Sequence, residues 1–240
     1  MYNFKVCIPS KGRSGLITTT DIFKSATIFV PESEIYQYSI YSNPIVGVPN
    51  NVRGITETRN WILKNTKENV FFIDDDLQYG GYIERNETKY KVKRVKEESI
   101  YMDEIKTLFE VCYQMQAKIC GFFTVGNNLT NYNWKPYLFN GICLGSCMGI
   151  INDGTYYFNE EYDVKEDYEL TLRNIKELGV TVRSNILFMQ HEHTKMNGGC
   201  RDSNRVEKEK QAIKKLIEAY PGMIKKAMHR GTGFAIQLNI

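Results

Sequence analysis

The sequence predicts an α/β fold with a mixed, mostly parallel sheet flanked by helices, and three observations predict it. Short apolar runs recur at 4–9, 26–30, 45–48 and 70–73, each the length of a buried strand. Helical patterns lie between and after them, and strands alternating with helices build βαβ units. At 240 residues the chain is long enough for one sizeable α/β domain carrying an appendage.

The elements follow in order. Phe4-Lys5-Val6-Cys7-Ile8 forms the first strand directly after the opening residues, so no signal peptide is expected and the sequons at Asn86 and Asn128 carry no meaning. Residues 26–30 and 45–48 are the second and third strands. A helix over 55–64 turns Ile55, Trp61, Ile62 and Leu63 to a partly apolar face. The run Asn69-Val70-Phe71-Phe72-Ile73-Asp74-Asp75-Asp76-Leu77 is the most informative stretch: a buried strand that delivers three carboxylates to its C-terminal end. Beyond Gln78-Tyr79-Gly80-Gly81, alternation around Tyr82-Ile83 and Tyr90-Lys91-Val92-Lys93 predicts a hairpin. A helix over 99–117 places Ile105, Leu108, Phe109, Cys112 and Met115 on one side, and 119–125 is another strand. Residues 127–136 are polar with Tyr132 and Trp134 interleaved, a loop; 140–151 alternates small and apolar residues up to the turn signal Asn152-Asp153-Gly154. The helix over 166–178 is closed by Gly179. A strand over 180–189, a polar loop over 190–204 and a basic helix over 205–220 follow, ending at Pro221-Gly222 and a tail. The organisation expected is one domain over 1–204 and a C-terminal helical extension over 205–240 packed on it.

Bulk properties exclude several classes. Hydrophobic content of 42% and charged content of 25% are those of a soluble globular protein. No apolar run approaches the ~20 residues needed to cross a bilayer, so no membrane partner is expected and the location expected is the cytoplasm. The six cysteines, Cys7, Cys112, Cys120, Cys143, Cys147 and Cys200, form no C-x-x-C pair and read as reduced, buried thiols. A net charge of +3 is too small to argue for nucleic acid by itself.

The chemistry is carried by clusters at strand ends. Nothing in the neighbouring sequence neutralises Asp74, Asp75 and Asp76. At the C-terminal end of a strand in an open α/β sheet, ligands bind, and oxygen donors in this number suit Mg²⁺ or Mn²⁺, which grip phosphate oxygens. Acidic triplets also occur as solvated turns and helix starts. The second cluster is Ile8-Pro9-Ser10-Lys11-Gly12-Arg13, where Pro9 ends the strand, Gly12 lets backbone approach a ligand, and Lys11 and Arg13 offer charge. It matches neither the P-loop spacing nor G-x-G-x-x-G. The third is Glu57-Thr58-Arg59-Asn60, whose Arg-Asn pair suits a phosphate or a base edge but equally an exposed helix face. The fourth is Glu166-Asp167-Tyr168-Glu169-Leu170 running into Arg173. Carboxylates opening a helix complement its dipole, and they also present a general base rigidly to a pocket. The last is Gln190-His191-Glu192-His193, where a histidine at a strand end suits a further ligand of an acid-rich site but, taken alone, is more often structural.

In order and spacing these parts resemble a GT-A glycosyltransferase over roughly residues 4 to 193: a nucleotide loop after the first strand, an Arg-Asn helix, a D-x-D-type acid cluster, a Glu-Asp helix start and a late histidine. The pattern Glu166, Asp167, Leu170, Arg173 is its most specific element after the acids. Within that superfamily, residues 7–13 with 26–32 look most like the bacteriophage TET-associated glycosyltransferases that decorate hydroxymethylated DNA pyrimidines. The resemblance implies a GT-A fold, a nucleoside-diphosphate sugar as donor with a UDP-sugar favoured, Mn²⁺ or Mg²⁺ as cofactor, and the host cytoplasm as location. It implies that Asp74 and Asp76 hold metal and sugar, with Asp75 assisting or reaching the ribose. Pro9, Ser10, Lys11, Arg13, Arg59 and Asn60 would line the nucleotide. Asp167 would be the base of an inverting enzyme, with Glu166 and Glu169 as rivals. His191 would contact the metal, in competition with His193.

DNA as acceptor rests mainly on that resemblance. Arg85, Lys89, Lys91, Lys93, Arg94 and Lys96 make the hairpin basic, and a C-terminal set from Lys208 to Arg230 does the same for the tail. Glu84, Glu87, Glu97 and Glu98 interrupt the hairpin, and lysine–glutamate helices are usually solvated faces. Tyr132 and Trp134 could stack on an extruded base. A transferase of the same fold acting on a glycan or small molecule, and a catalytically silent nucleotide- or DNA-binding module, are the alternatives.

Overall fold

The computed structural model of the chain describes residues 3–85, 90–124, 135–191, 205–227 and 235–239. The chain runs β1 (Phe4–Pro9), β2 (Thr27–Pro31), α1 (Ile35–Tyr38), β3 (Ile45–Val48), α2 (Gly54–Asn65), β4 (Asn69–Ile73), β5 (Leu77–Arg85), β6 (Tyr90–Val95), α3 (Glu98–Met115), β7 (Ile119–Thr124), β8 (Tyr137–Leu138), β9 (Cys147–Ile150), α4 (Glu166–Leu178), β10 (Val182–His191), α5 (Arg205–Ala219), β11 (Ile224–Ala227) and β12 (Ala235–Leu238). The main sheet has the order β3-β2-β1-β4-β9-β7-β10-β5-β6, with β8 added against β10. Along that path only β9 and β5 run against the rest, so the sheet is mixed and mostly parallel, as expected.

Alternation of side chains sorts the core into two faces. Val6, Ile8, Phe71 and Ile73 meet Tyr101, Ile105, Leu108 and Phe109 of α3 on one face. Cys7, Val70 and Phe72 meet Ile62 and Leu63 of α2 and Leu170 of α4 on the other. Helix α4 is itself covered: Leu172 packs with Ala212 and Leu216 of α5 and with Tyr220. The five described cysteines are buried free thiols, and burial raises Cys7, Cys120, Cys143 and Cys147 above the ordinary thiol range.

Several expectations change. Only 147–150 of the alternating 140–151 stretch becomes a strand, β9, which pairs Cys147 with Ile73. Strand β5 begins before the alternating segment at Tyr82-Ile83, taking in Gln78-Tyr79-Gly80-Gly81. Two glycines are tolerated there because a Cβ at Gly81 would stand 2.0 Å from the Lys93 carbonyl oxygen. Strand β10 continues through Gln190 and His191, expected in a loop, because they pair with Tyr79 and Leu77 of β5. Its register against β7 jumps between Ser184 and Phe188, which face Phe122 and Phe123. The tail after Gly222 is not helical: β11 and β12 form a separate two-stranded sheet. The loop expected over 127–136 lies outside the described residues from 127 to 134, as does that over 190–204 from 192 onward.

Candidate active site

Strand β1 is flanked by β2 on one side and β4 on the other, both parallel to it. Successive crossovers therefore wind away in opposite directions, and a crevice opens at the C-terminal ends of β1 and β4. Pro9 and Ser10 leave β1 there, and Asp74, Asp75 and Asp76 leave β4 there. The backbone of the acidic turn is pinned by Thr18 and Thr19. The Thr19 hydroxyl donates to the Asp74 carbonyl at 2.6 Å and accepts from the Leu77 amide at 3.1 Å, and the Thr18 amide donates to the Asp75 carbonyl at 3.1 Å.

The acids are not left to repel one another, as their neighbouring sequence suggests. Asp75 is buried and held at both oxygens, by the Ser10 hydroxyl at 2.6 Å and by the Arg13 guanidinium. Burial raises its carboxyl, with Ser10 and Arg13 acting the other way. The same Arg13 nitrogen stands 3.8 Å from Asp76. Tyr38 ties this loop down, its hydroxyl accepting from the Arg13 amide at 2.9 Å and lying 3.1 Å from Ser10 Oγ. Pro9 is buried, Lys11 is exposed, and Gly12, at φ +65°, donates its amide to Glu34 at 2.7 Å.

Arg59 and Asn60 do not form an exposed helix face: both are 2% exposed, with their side chains engaged inside the chain. The Asn60 amide donates to the Phe158 carbonyl and to Glu160 at 2.9 Å each, and accepts from the Phe158 amide at 2.8 Å, so it holds the 158–160 segment. Arg59 lies between the rings of Phe72 and Phe158 and bridges three elements. It reaches Asp74 at 2.9 Å, Glu166 at 2.7 Å and the Gly145 carbonyl at 2.9 Å. Gly145 also donates its amide to Asp167 at 2.9 Å, and a Cβ there would stand 2.5 Å from Arg59 Nη1. This bridge brings the end of β4 and the start of α4 together. Breaking a buried ion pair from one side leaves the partner charges buried, so Arg59→Gln is expected to cost about 3–5 kcal/mol. Arg59→Lys should recover only part of this, because an ammonium cannot span the fork. Thermal unfolding of the three proteins checks both.

The first turn of α4 carries three carboxylates with three different fates. Glu166 is 7% exposed and sealed against Arg59. Burial and its neighbours Asp167 and Asp74 push its carboxyl from an ordinary 4.5 up to about 7, against the pull of Arg59. Glu169 is 5% exposed and accepts from the Tyr220 hydroxyl at 2.8 Å. Asp167 alone of the three is half-buried, its oxygens oriented by the amides of Gly145 and Tyr168 at 2.9 Å each. A consequence follows for Glu166: the folded state binds its proton more tightly than the unfolded chain. The stability it contributes is greatest below about 4.5 and is lost as pH rises toward 7. Glu166→Gln should flatten that slope in unfolding midpoints measured from pH 4.5 to 7.

His191 reaches the site because β10 outruns its expected end. It is 3% exposed, and its Nδ1 lies 3.2 Å from Asp76 Oδ1. Among the described residues, no three carboxylate, imidazole or thiol groups converge into a ready coordination sphere. Asp74 is engaged through Oδ1 by Arg59 at 2.9 Å. His193 lies outside the described residues. Around the crevice, Asp74, Asp75, Asp76, Glu166 and Asp167 still outnumber the guanidiniums of Arg13 and Arg59. No helix among the described residues is long and apolar enough to cross a membrane.

A model of the TET-associated glycosyltransferase family matches residues 4–199. No curated protein matches the chain. Among solved structures, glucosyl-3-phosphoglycerate synthase from Mycobacterium tuberculosis in complex with Mn²⁺, uridine diphosphate and phosphoglyceric acid is 13% identical with a TM-score of 0.56, over 99% of this chain and 86% of that one. S. aureus TarS 1-349 is 13% identical with a TM-score of 0.53, over 90% of this chain and 66% of that one, so the chain spans just under two thirds of its length. The same protein in complex with UDP is 13% identical with a TM-score of 0.50, over 91% of this chain and 72% of that one. At such identities the likeness carries the fold alone, that of GT-A glycosyltransferases.

Proposed function

The chain belongs to the TET-associated glycosyltransferase family, and from that premise we propose that it moves a sugar from a UDP-sugar to the hydroxyl of a hydroxymethylated pyrimidine in DNA, with Mn²⁺ or Mg²⁺ bound. The observation that carries the reading is the Arg59 bridge, which joins the acids after β4 to the turn bearing the half-open Asp167. Donor-side and acceptor-side carboxylates thereby share one crevice at the switch point of the sheet.

Asp76 and His191, a buried oxygen–nitrogen pair in contact in a region of surplus carboxylate, fit a divalent ion of the Mn²⁺ type. Asp74, 30% exposed at its side chain, is the further oxygen donor at the rim. When bound, the ion would supply Lewis-acid stabilisation of the charge that gathers on the departing diphosphate. The residues of the chain do the rest. Ser10, Lys11 and Arg13 border the diphosphate side, and Arg13 and Ser10 hold Asp75 in place. Asp167 accepts the proton of the acceptor hydroxyl as its oxygen attacks the anomeric carbon and the bond to the diphosphate breaks. Glu166 and Glu169 are poorer candidates for that step, since both are buried against partners of their own. For the acceptor, the hairpin of β5 and β6 offers exposed Lys91, Lys93 and Arg94, the last stacked 4.1 Å over Tyr79.

Incubation with hydroxymethylated DNA, Mn²⁺ and a panel of UDP-sugars tests the reading by mass spectrometry of the nucleosides. A glycosylated hydroxymethylpyrimidine is the expected product. Donor consumption without a DNA product moves the acceptor to a glycan or small molecule, and binding without turnover makes the chain a silent module.

A further inference from the structure

The first turn of α4 is held from behind by a part of the chain beyond residue 199, where the family match ends. Ala212 and Leu216 of α5 are buried with Tyr162 of the loop entering α4 and with Leu172 of α4. Tyr220, just past α5, is 6% exposed and donates its hydroxyl to Glu169 Oε1 at 2.8 Å. Arg173 Nε stands 3.4 Å from the same oxygen. Lys176, one α4 turn further on, lies 5.4 Å over the Tyr220 ring, and the Lys215 ammonium donates to the Glu161 carbonyl at 3.5 Å. Glu166, by contrast, faces Arg59 and the sheet. The turn is therefore clamped between the end of β4 on one side and the C-terminal segment on the other.

We propose that the C-terminal segment is a positioning element of the transferase site, with Tyr220 the positioning residue that fixes Asp167 through Glu169. The inference rests on the reading of Asp167 as the proton acceptor. The first amides of a helix have no intrahelical acceptor, so its first turn is the part the helix itself constrains least. Side-chain ties decide where that turn sits. Glu169 is buried, and a buried carboxylate that loses a donor is drawn toward water. Only Tyr168 separates it from Asp167 along the same turn, so any relaxation of Glu169 is felt at the reacting carboxylate. Displacements of this kind lower turnover without weakening donor binding.

Tyr220→Phe in the full chain removes one hydroxyl and keeps the ring that fills the cluster. Two readouts are taken together: backbone hydrogen exchange over residues 166–175, which needs no substrate, and steady-state transfer. The expected result is exchange about tenfold faster in that peptide and kcat lower by about tenfold, the worth of one hydrogen bond to a charged group, with donor KM within about twofold. Leu216→Ala provides the structural comparison, since it leaves a cavity in the same cluster and lowers the unfolding temperature while leaving the hydroxyl in place. Unchanged exchange in Tyr220→Phe, or a kcat within about twofold of wild type, overturns the proposal. So does a kcat loss that only tracks the folded fraction in both variants. Should the wild-type chain transfer no sugar to any acceptor, the functional reading fails, while the exchange data still decide whether Tyr220 holds the turn.

Discussion

Asp167→Asn is expected to lower turnover by about 10²–10⁴-fold, the usual contribution of a general base. The substitution preserves size and leaves an oxygen to accept from Gly145, so the turn should keep its place. It removes the capacity to take a proton at neutral pH. Donor affinity should stay within a few-fold, because Asp167 serves the acceptor hydroxyl and makes no contact with the acids after β4 except through Gly145 and Arg59. Steady-state transfer together with calorimetric titration of UDP separates the two effects. Near-normal turnover in Asp167→Asn, with turnover lost in Glu166→Gln or Glu169→Gln, would move the base to a neighbouring carboxylate. Burial argues against that outcome, since Glu166 and Glu169 are each closed off by a partner.

The second large effect is at the Asp76–His191 pair. Asp76→Ala and His191→Ala should each abolish the Mn²⁺-dependent part of UDP binding, a loss of at least about 10²-fold in affinity measured with and without the ion. Asp76→Ala also takes a buried partner from His191, so its unfolding temperature should fall as well. Asp75→Ala should cost more stability. It strips Arg13 and Ser10 of a buried partner and is expected to lower stability as well as binding. Mn²⁺-dependent binding that survives in both Asp76→Ala and His191→Ala would end the assignment of the ion to this pair.

What the sequence made legible was whatever is local. The strand ending in Ile73, the helix over 166–178 and the Gly179 that closes it at φ +75° all follow from periodicity and from a single glycine. The alternation of Val6 and Ile8 against Cys7 sorts the two faces of the sheet as period two demands. Contacts that make the site are long-range, and no local pattern encodes them. Arg13 meets Asp75 across 62 residues, and Arg59 meets Glu166 across 107. The side chains of Arg59 and Asn60 suit a phosphate or a base edge and equally an exposed helix face, and the local pattern does not choose between them. Their burial is set by distant residues: Phe72 and Phe158 enclose Arg59, and the 158–160 segment engages Asn60. Thr19, Tyr38 and Gly145 gave no signal, since a lone hydroxyl or glycine in an irregular segment is indistinguishable from ordinary loop chemistry. His191 was found by type, but its strand was cut short because Gln190 and His191 are polar, and pairing with β5 overrides that polarity.

The register jump in β10 gives the histidine a dependence on counting. Between Ser184 and Phe188 the strand gains three residues for none on β7 before pairing resumes. Side chains alternate between the faces of a sheet, so an odd insertion inverts the phase of everything downstream. The odd count in 185–187 sets the phase in which Leu187 to Gln190 pair with β5, and a second register shift between Gln190 and His191 then seats the imidazole beside Asp76. Removing one residue of 185–187 is expected to invert the phase that this second shift starts from. Parity in a segment that touches neither Asp76 nor the acidic turn thus belongs to the definition of the site, and a homologous chain can keep every polar residue named above and still lose the contact through one deletion.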